Sequence, residues 1–262
     1  MDLGLQDKVV IVTGGAKGIG AAIAILLGLE GSQVVIVGRN PKDNQDKIDE
    51  ILRAGGKGYA IQAELTEPVN CKTVIDQVLQ RSGRIDGIVN NAGHNDGVGL
   101  ETGNYDDFIQ SLHKNVVHYY LLVHYALPAL IKSKGSIVNI SSKTAEVGQG
   151  HTSGYAASNG ARNALTREWA VELLKYQIRV NAVVVSECWT PQYAQWIKTL
   201  PDSAATLKKI TDQIPLGKRM TTAEEIANTV AFLLSERSSH TTGQLLHIDG
   251  GYVHLDRALA NA

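Results

Sequence analysis

Short runs of β-branched and apolar residues recur along the chain, and longer stretches with apolar positions three or four apart lie between them. The runs at 8–13 (KVVIVT), 33–37 (QVVIV), 58–62 (GYAIQ), 85–90 (IDGIVN), 136–140 (SIVNI), 178–184 (IRVNAVV) and 244–248 (QLLHI) predict strands. The intervening periodicity predicts helices near 18–30, 42–54, 67–82, 105–132, 155–175 and 222–235. The middle strands are apolar nearly throughout, as expected when both faces of a sheet are covered. Strand–helix alternation of this kind predicts parallel strands joined by right-handed crossovers. The rhythm breaks at 186–218, where Trp189, Trp196, Pro191, Pro201 and Pro215 fall among short helical patterns. A segment of that kind, inserted after a late strand, predicts a small lid.

The bulk figures fit one such domain over residues 1–262. Hydrophobic residues make up 44% and charged residues 19%, and the net charge is -1. No block of like charge points to nucleic acid or to an anionic membrane surface. Cys71 and Cys188 stand far apart, with no metal or redox spacing, so no metal site is expected. The apolar run near the start is too short for a signal peptide or a membrane span, which leaves a cytoplasmic protein as the expectation.

The first strand runs into T13-G14-G15-A16-K17-G18-I19-G20 and then a helix. Gly14, Gly18 and Gly20 have the spacing of a tight turn over a helix N-terminus, where free N–H groups and the helix dipole receive a pyrophosphate. The second strand ends in Gly38-Arg39, where a NAD site commonly carries a carboxylate for the ribose. With Lys17 in the loop, two cations and no acid favour NADP, with NAD as the alternative; as solvated surface charges the two would carry no such meaning.

The ordered set TGGAKGIG, N90-N91-A92-G93, Asn115, Ser142, Tyr155 and D249-G250-G251 resembles the short-chain dehydrogenase/reductase family over nearly the whole chain. That resemblance implies a single Rossmann-type, doubly wound α/β domain with a seven-stranded parallel sheet. It implies Tyr155 as general acid/base, Ser142 as hydrogen-bond donor to the substrate oxygen, and Asn115 as holder of a relay water. It also implies Ile19, Glu64, Leu65, Asn91, Ala92, Gly93, Cys188 and Thr190 around the dinucleotide, and assembly as a homotetramer through the two long helices. The tail at 253–262 is a candidate to reach a neighbouring subunit's site.

Position 159 departs from the pattern. The family places Lys four residues after the tyrosine; this chain has Asn159 in YAASN. One helical turn on, it shares the face of Tyr155, and it stays a candidate ribose contact. A phenol ordinarily ionises near pH 10, so a neighbouring positive charge matters to its use as a base. Asn brings none, and the expected loss is roughly 10²–10⁴-fold in rate. Two explanations are open: a chain altered at one position to stall the reaction, or a natural member of weak activity. The completeness of the other motifs favours the first.

For substrate, NNAGHNDGVGL, NISSKTA, GQGHTSGY, LTREWAVEL and GGYVHLDRAL are similar to segments of bacterial L-fucose dehydrogenases, which implies oxidation of a pyranose C1 hydroxyl to a lactone. His94, Lys143, Gln149, Glu187 and Trp189, with Asp96 and His151 as weaker candidates, form a polar and aromatic set suited to several hydroxyls and one sugar face. A reductase or dehydrogenase for a 3-oxoacyl thioester or hydroxysteroid is the enzymatic alternative. A dinucleotide-binding protein without catalysis is the non-enzymatic one, resting on Asn159 alone.

Overall fold

The computed structural model describes residues 2–255. Seven strands form one parallel sheet: β1 (Val9–Thr13), β2 (Gln33–Gly38), β3 (Lys57–Gln62), β4 (Gly87–Asn90), β5 (Ser136–Ser142), β6 (Arg179–Val185) and β7 (Leu245–Ile248). Their spatial order is 3-2-1-4-5-6-7. The chain leaves β1 toward β2 and β3, then returns to pair β4 with the other side of β1. The β1/β4 junction is therefore the point where winding reverses, and such a point opens a crevice at the carboxyl ends of the strands.

Both faces are covered, which explains the unbroken apolar strands. Val9 and Ile11 face a cluster with Val74, Val78, Tyr119, Leu122 and Trp169, from α3 (Pro68–Ser82), α5 (His118–Ser133) and α6 (Ser153–Glu172). Val10 and Val12 face Ile23, Leu27, Ile48, Val230 and Leu233, from α1 (Gly18–Leu29), α2 (Pro41–Arg53) and α9 (Ala223–Leu234). Helix starts follow local chemistry: Asn40 accepts from the N–H groups of Lys42 and Asp43 ahead of Pro41, and Thr222 with Glu225 closes a reciprocal cap on α9.

Two outcomes differ from the sequence pattern. The helix expected over 105–132 is interrupted: α4 (Tyr105–Leu112) passes through a π-helical turn, His113–Val117, into α5. The extra residue of that turn carries Asn115, and such bulges gather at functional sites. The fifth strand runs two residues further than expected and ends on Ser142, paired in register with Val185. The 186–218 segment carries α7 (Pro191–Ile197) and α8 (Ser203–Asp212). The part of the tail at 256–262 lies outside the described residues.

Candidate active site

The crevice at the carboxyl edge is built from the β1 loop upward. Gly14 and Gly18 adopt φ of +63° and +54°, conformations in which a side chain is strained. Gly20 needs its missing side chain for space: a Cβ there would lie 2.3 Å from the Gly14 carbonyl oxygen. The β4 loop is tied to this turn. Asn91 donates its side-chain amide to the Thr13 carbonyl at 2.8 Å, and the Thr13 hydroxyl accepts from the N–H groups of Asn91 and Ala92 at 2.8 and 2.9 Å. The result is a glycine cradle over the start of α1, a fit for a dinucleotide pyrophosphate.

One continuous cleft is lined by Gly14, Lys17, Gly18, Ile19, Gly20, Arg39, Glu64, Leu65, Asn91, Ala92, Gly93, His94, Ser142, Tyr155, Cys188 and Thr190, all expected from the sequence. Ser186 also lines it, with a buried hydroxyl that has no partner among the described residues. An orphaned donor and acceptor on the same cleft as Thr190 suits an amide such as a nicotinamide carboxamide. Cys188 is buried, and burial above all pushes its thiol up to about 12. It serves as packing rather than as a nucleophile.

The premise of two cations without an acid needs correction. Lys17 pairs with Asp43 at 2.6 Å and Arg39 with Glu64 at 3.4 Å. Asp43 sits in the first turn of α2, a favourable place for an acid, and so lies within reach of the glycine loop. Gly38 has its own packing reason: a Cβ would lie 2.4 Å from Asn44 Oδ1.

The substrate-side candidates divide. His94 lines the cleft, and burial holds its imidazole below its ordinary value. Lys143 and Glu187 form a nearly buried ion pair, and the Lys143 ammonium lies 4.2 Å from the Tyr252 ring centre. Glu187 also meets Tyr193 of α7; burial first, then that acid, raises the Tyr193 phenol far above its usual range. Trp189, Tyr193 and Trp196 follow one another at ring separations of 6.0 and 5.1 Å. Trp189, Lys143, Glu187 and Gln149 are not among the residues lining the cleft; Gln149 is exposed on the β5–α6 loop. Asp96 is taken up by Ser111 and Lys114, and His151 is exposed.

Asn115 and Asn159 are both fully buried, and neither lines the cleft. Asn115 Oδ1 accepts from the His94 N–H at 2.8 Å, and its amide donates to the Ser111 carbonyl at 3.0 Å, so it staples the π turn to the β4 loop. The Asn159 amide donates to the Tyr155 carbonyl at 2.8 Å, and Asn159 Oδ1 accepts from Arg162 Nη1 at 2.9 Å. Arg162, which motif reading passes over, lines the cleft in place of Asn159. Its sequence signal is a cation three residues after Asn159 and seven after Tyr155, on one helical face.

Glu146, His247 and His254 also converge, with possible ligand atoms all within 4.8 Å of one another. His247 Nε2 lies 3.0 Å from Glu146 Oε2, tying the β5–α6 loop to β7. Their hundred-residue separation hides the cluster from spacing arguments. A second hollow, at the amino edge of the sheet, includes Lys8, Asp86, Arg179 and Glu236, and internal bonds take up these charges.

A parallel sheet with a glycine cradle at its reversal point and a Tyr–Ser pair on the same cleft defines a dinucleotide-dependent oxidoreductase. The family profile described as "Enoyl-(Acyl carrier protein) reductase" matches residues 14–253. The chain belongs to the short-chain dehydrogenase/reductase family. It is 36% identical to the L-fucose dehydrogenase of Rattus norvegicus over 247 residues, 94% of this chain and 89% of that protein. The crystal structure of Cj0485 dehydrogenase matches with a TM-score of 0.94 at 44% identity, over 98% of each chain. L-Sorbose reductase from Gluconobacter frateurii, solved with NADPH and L-sorbose, matches with a TM-score of 0.93 at 26% identity, over 97% of this chain and 99% of that one. Among the described residues, no helix is long and apolar enough to cross a membrane.

Proposed function

We propose that the protein oxidises the C1 hydroxyl of L-fucose or a similar pyranose to the lactone, with NADP favoured over NAD. The observation that carries this reading is one cleft in which Tyr155, Ser142 and His94 share walls with the glycine cradle, beside Tyr193 and the Lys143–Glu187 pair. Fixed charges and hydroxyls on the substrate side suit a polyol; a steroid or acyl chain has no use for them. The 36% identity to an L-fucose dehydrogenase supports the same class.

The bound dinucleotide supplies the hydride acceptor. Ser142 orients the C1 hydroxyl, and Tyr155 takes its proton as the C1 hydrogen departs with its electron pair. Ser186 would hold the carboxamide end, and Tyr193 with Trp189 would cover a sugar face. Lys17 and Arg39 would hold a ribose 2′-phosphate in exchange for Asp43 and Glu64.

Reduction of a 3-oxoacyl thioester is the second reading, and the matched family profile, named for a reductase of acyl-carrier-protein thioesters, lends it support. The test follows reduced-cofactor absorbance with L-fucose, other pyranoses, cyclopentanol and a 3-oxoacyl thioester, each with NADP and NAD. Turnover of pyranoses, falling roughly 10²–10⁴-fold in Tyr155→Phe, supports the proposal; turnover of the thioester alone sinks it.

A homotetramer belongs to the same reading. Tyr120 of α5 and Val171 of α6 are large apolar side chains exposed on the two helices concerned, and light scattering reports the mass. A cytoplasmic setting suits the two free, buried thiols, Cys71 and Cys188.

A further inference from the structure

We infer that Arg162 supplies the buried positive charge that position 159 lacks, which makes Asn159 and Arg162 a relocated cation rather than a lesion. The inference rests on Tyr155 acting as the acid/base of a dehydrogenase.

Four lysines and arginines line the cleft: Lys17, Arg39, Lys114 and Arg162. The first three each hold a carboxylate, from Asp43, Glu64 and Asp96. Among the described residues Arg162 has none, although it is 3% exposed and the most buried of the four. A buried cation without a counter-charge is costly and persists where something uses it.

Its surroundings aim it and do not neutralise it. Nε donates to the Asn115 carbonyl at 2.7 Å, and Nη2 bonds the same oxygen. Nη1 donates to the Ile140 carbonyl at 3.1 Å and to Asn159 Oδ1 at 2.9 Å. Every acceptor is a neutral amide oxygen. The guanidinium carbon lies 4.4 Å from the Tyr119 ring centre and 6.0 Å from that of Tyr155. The β4 loop is shaped around it: a Cβ on Gly93, at φ +151°, would fall 2.6 Å from Arg162 Nη2.

Asn159 fits this arrangement as a partner. A lysine there would set a second cation against the guanidinium, whereas the Asn carbonyl accepts from it. The coupling favours a natural member of the family over a chain altered at one position. It also replaces the expected loss at position 159 with a competent site.

Other charged or titratable groups facing the pair are His94 from the β4 loop, Lys114 and His118 from the π turn and the start of α5, and Tyr119. Tyr193 and Glu64 line the same cleft, and Glu187, paired with Lys143, meets Tyr193. Lys143 is matched by Glu187, and His118 is neutral, held down to about 4 by burial and then by Arg162 itself. Arg162 is left as the uncompensated charge near Tyr155.

The test compares the parent chain with Arg162→Leu, Arg162→Lys, Asn159→Lys and the double variant Asn159→Lys/Arg162→Leu. Arg162→Leu is expected to lower kcat for the pyranose roughly 100-fold and to move the rising limb of the pH–rate profile upward. Dinucleotide affinity, read by fluorescence, should stay within about threefold. Arg162→Lys should recover part of the rate and the double variant most of it, whereas Asn159→Lys alone should gain nothing.

Tyrosinate absorbance of the cofactor-free protein, isolated by difference against Tyr155→Phe, gives a readout without substrate. It should develop at lower pH in the parent than in Arg162→Leu. Unchanged rate and absorbance profiles in Arg162→Leu overturn the inference. A lower rate with an unmoved pH profile and a depressed melting temperature overturns it too, assigning Arg162 to scaffolding. If the parent oxidises no pyranose while the absorbance shift is present, the substrate reading fails and the inference stands.

Discussion

Removing the Arg39 charge tests how the cofactor is chosen. Arg39 pairs with Glu64 at 3.4 Å, with the two side chains 71% and 41% exposed. Such an exposed pair is worth about 0–1 kcal/mol after solvent screening. A guanidinium bonded to a phosphate oxygen contributes about 1.5–3 kcal/mol. Exchanging one for the other leaves about 1–2 kcal/mol in favour of the 2′-phosphate, a preference of roughly 5–30-fold for NADPH over NADH. Arg39→Ala should therefore weaken NADPH about tenfold and leave NADH within about threefold. Glu64→Gln should tighten NADPH a few-fold, because it frees Arg39 and removes a like charge. Fluorescence titration of both reduced cofactors gives the ratio directly, and added salt should narrow it. Equal weakening of the two cofactors in Arg39→Ala, or a parent protein that prefers NADH, refutes the phosphate assignment.

Gly20→Ala places a methyl 2.3 Å from a backbone oxygen, so dinucleotide binding should fall more than about tenfold and the melting temperature should drop, as when about 1–3 kcal/mol of overpacking is forced on a core. His118 gives a pH signature: it is neutral when folded, held at about 4, and ionises near 6.5 when free. Between those values the unfolded chain takes up the extra proton, so stability present above pH 6.5 is lost as pH falls toward 4, on the order of 3 kcal/mol in all. Denaturant melts across that window should show the loss, and His118→Leu should flatten that part of the curve; parallel curves refute it. Trp189→Ala should raise the pyranose KM several-fold with little change in dinucleotide affinity, measured by initial rates and fluorescence.

The parallel sheet was readable because both of its faces are buried, which leaves strands such as Val9–Val12 apolar throughout. The cradle was readable because Gly14, Gly18 and Gly20 answer to backbone geometry, which spacing records. The π turn was not, since Asn115 disturbs the helical period by a single residue within a continuous apolar pattern. The acids facing Lys17 and Arg39 were hidden for another reason: Asp43 and Glu64 come from different crossovers, and only folding brings them to the cation. Arg162 escaped because attention to a motif stops at its last letter, whereas the helix face goes on for another turn.

Helix α8 buries none of its residues, in contrast to α1, α5 and α9, which are set into the core. A surface appendage of this kind can lift away without disturbing the sheet, at a small fraction of the global unfolding free energy. Local motion of residues 203–212 is then separable from the sheet and from the glycine cradle. Selection is equally free to rewrite residues 203–212 for a new guest without rebuilding the house.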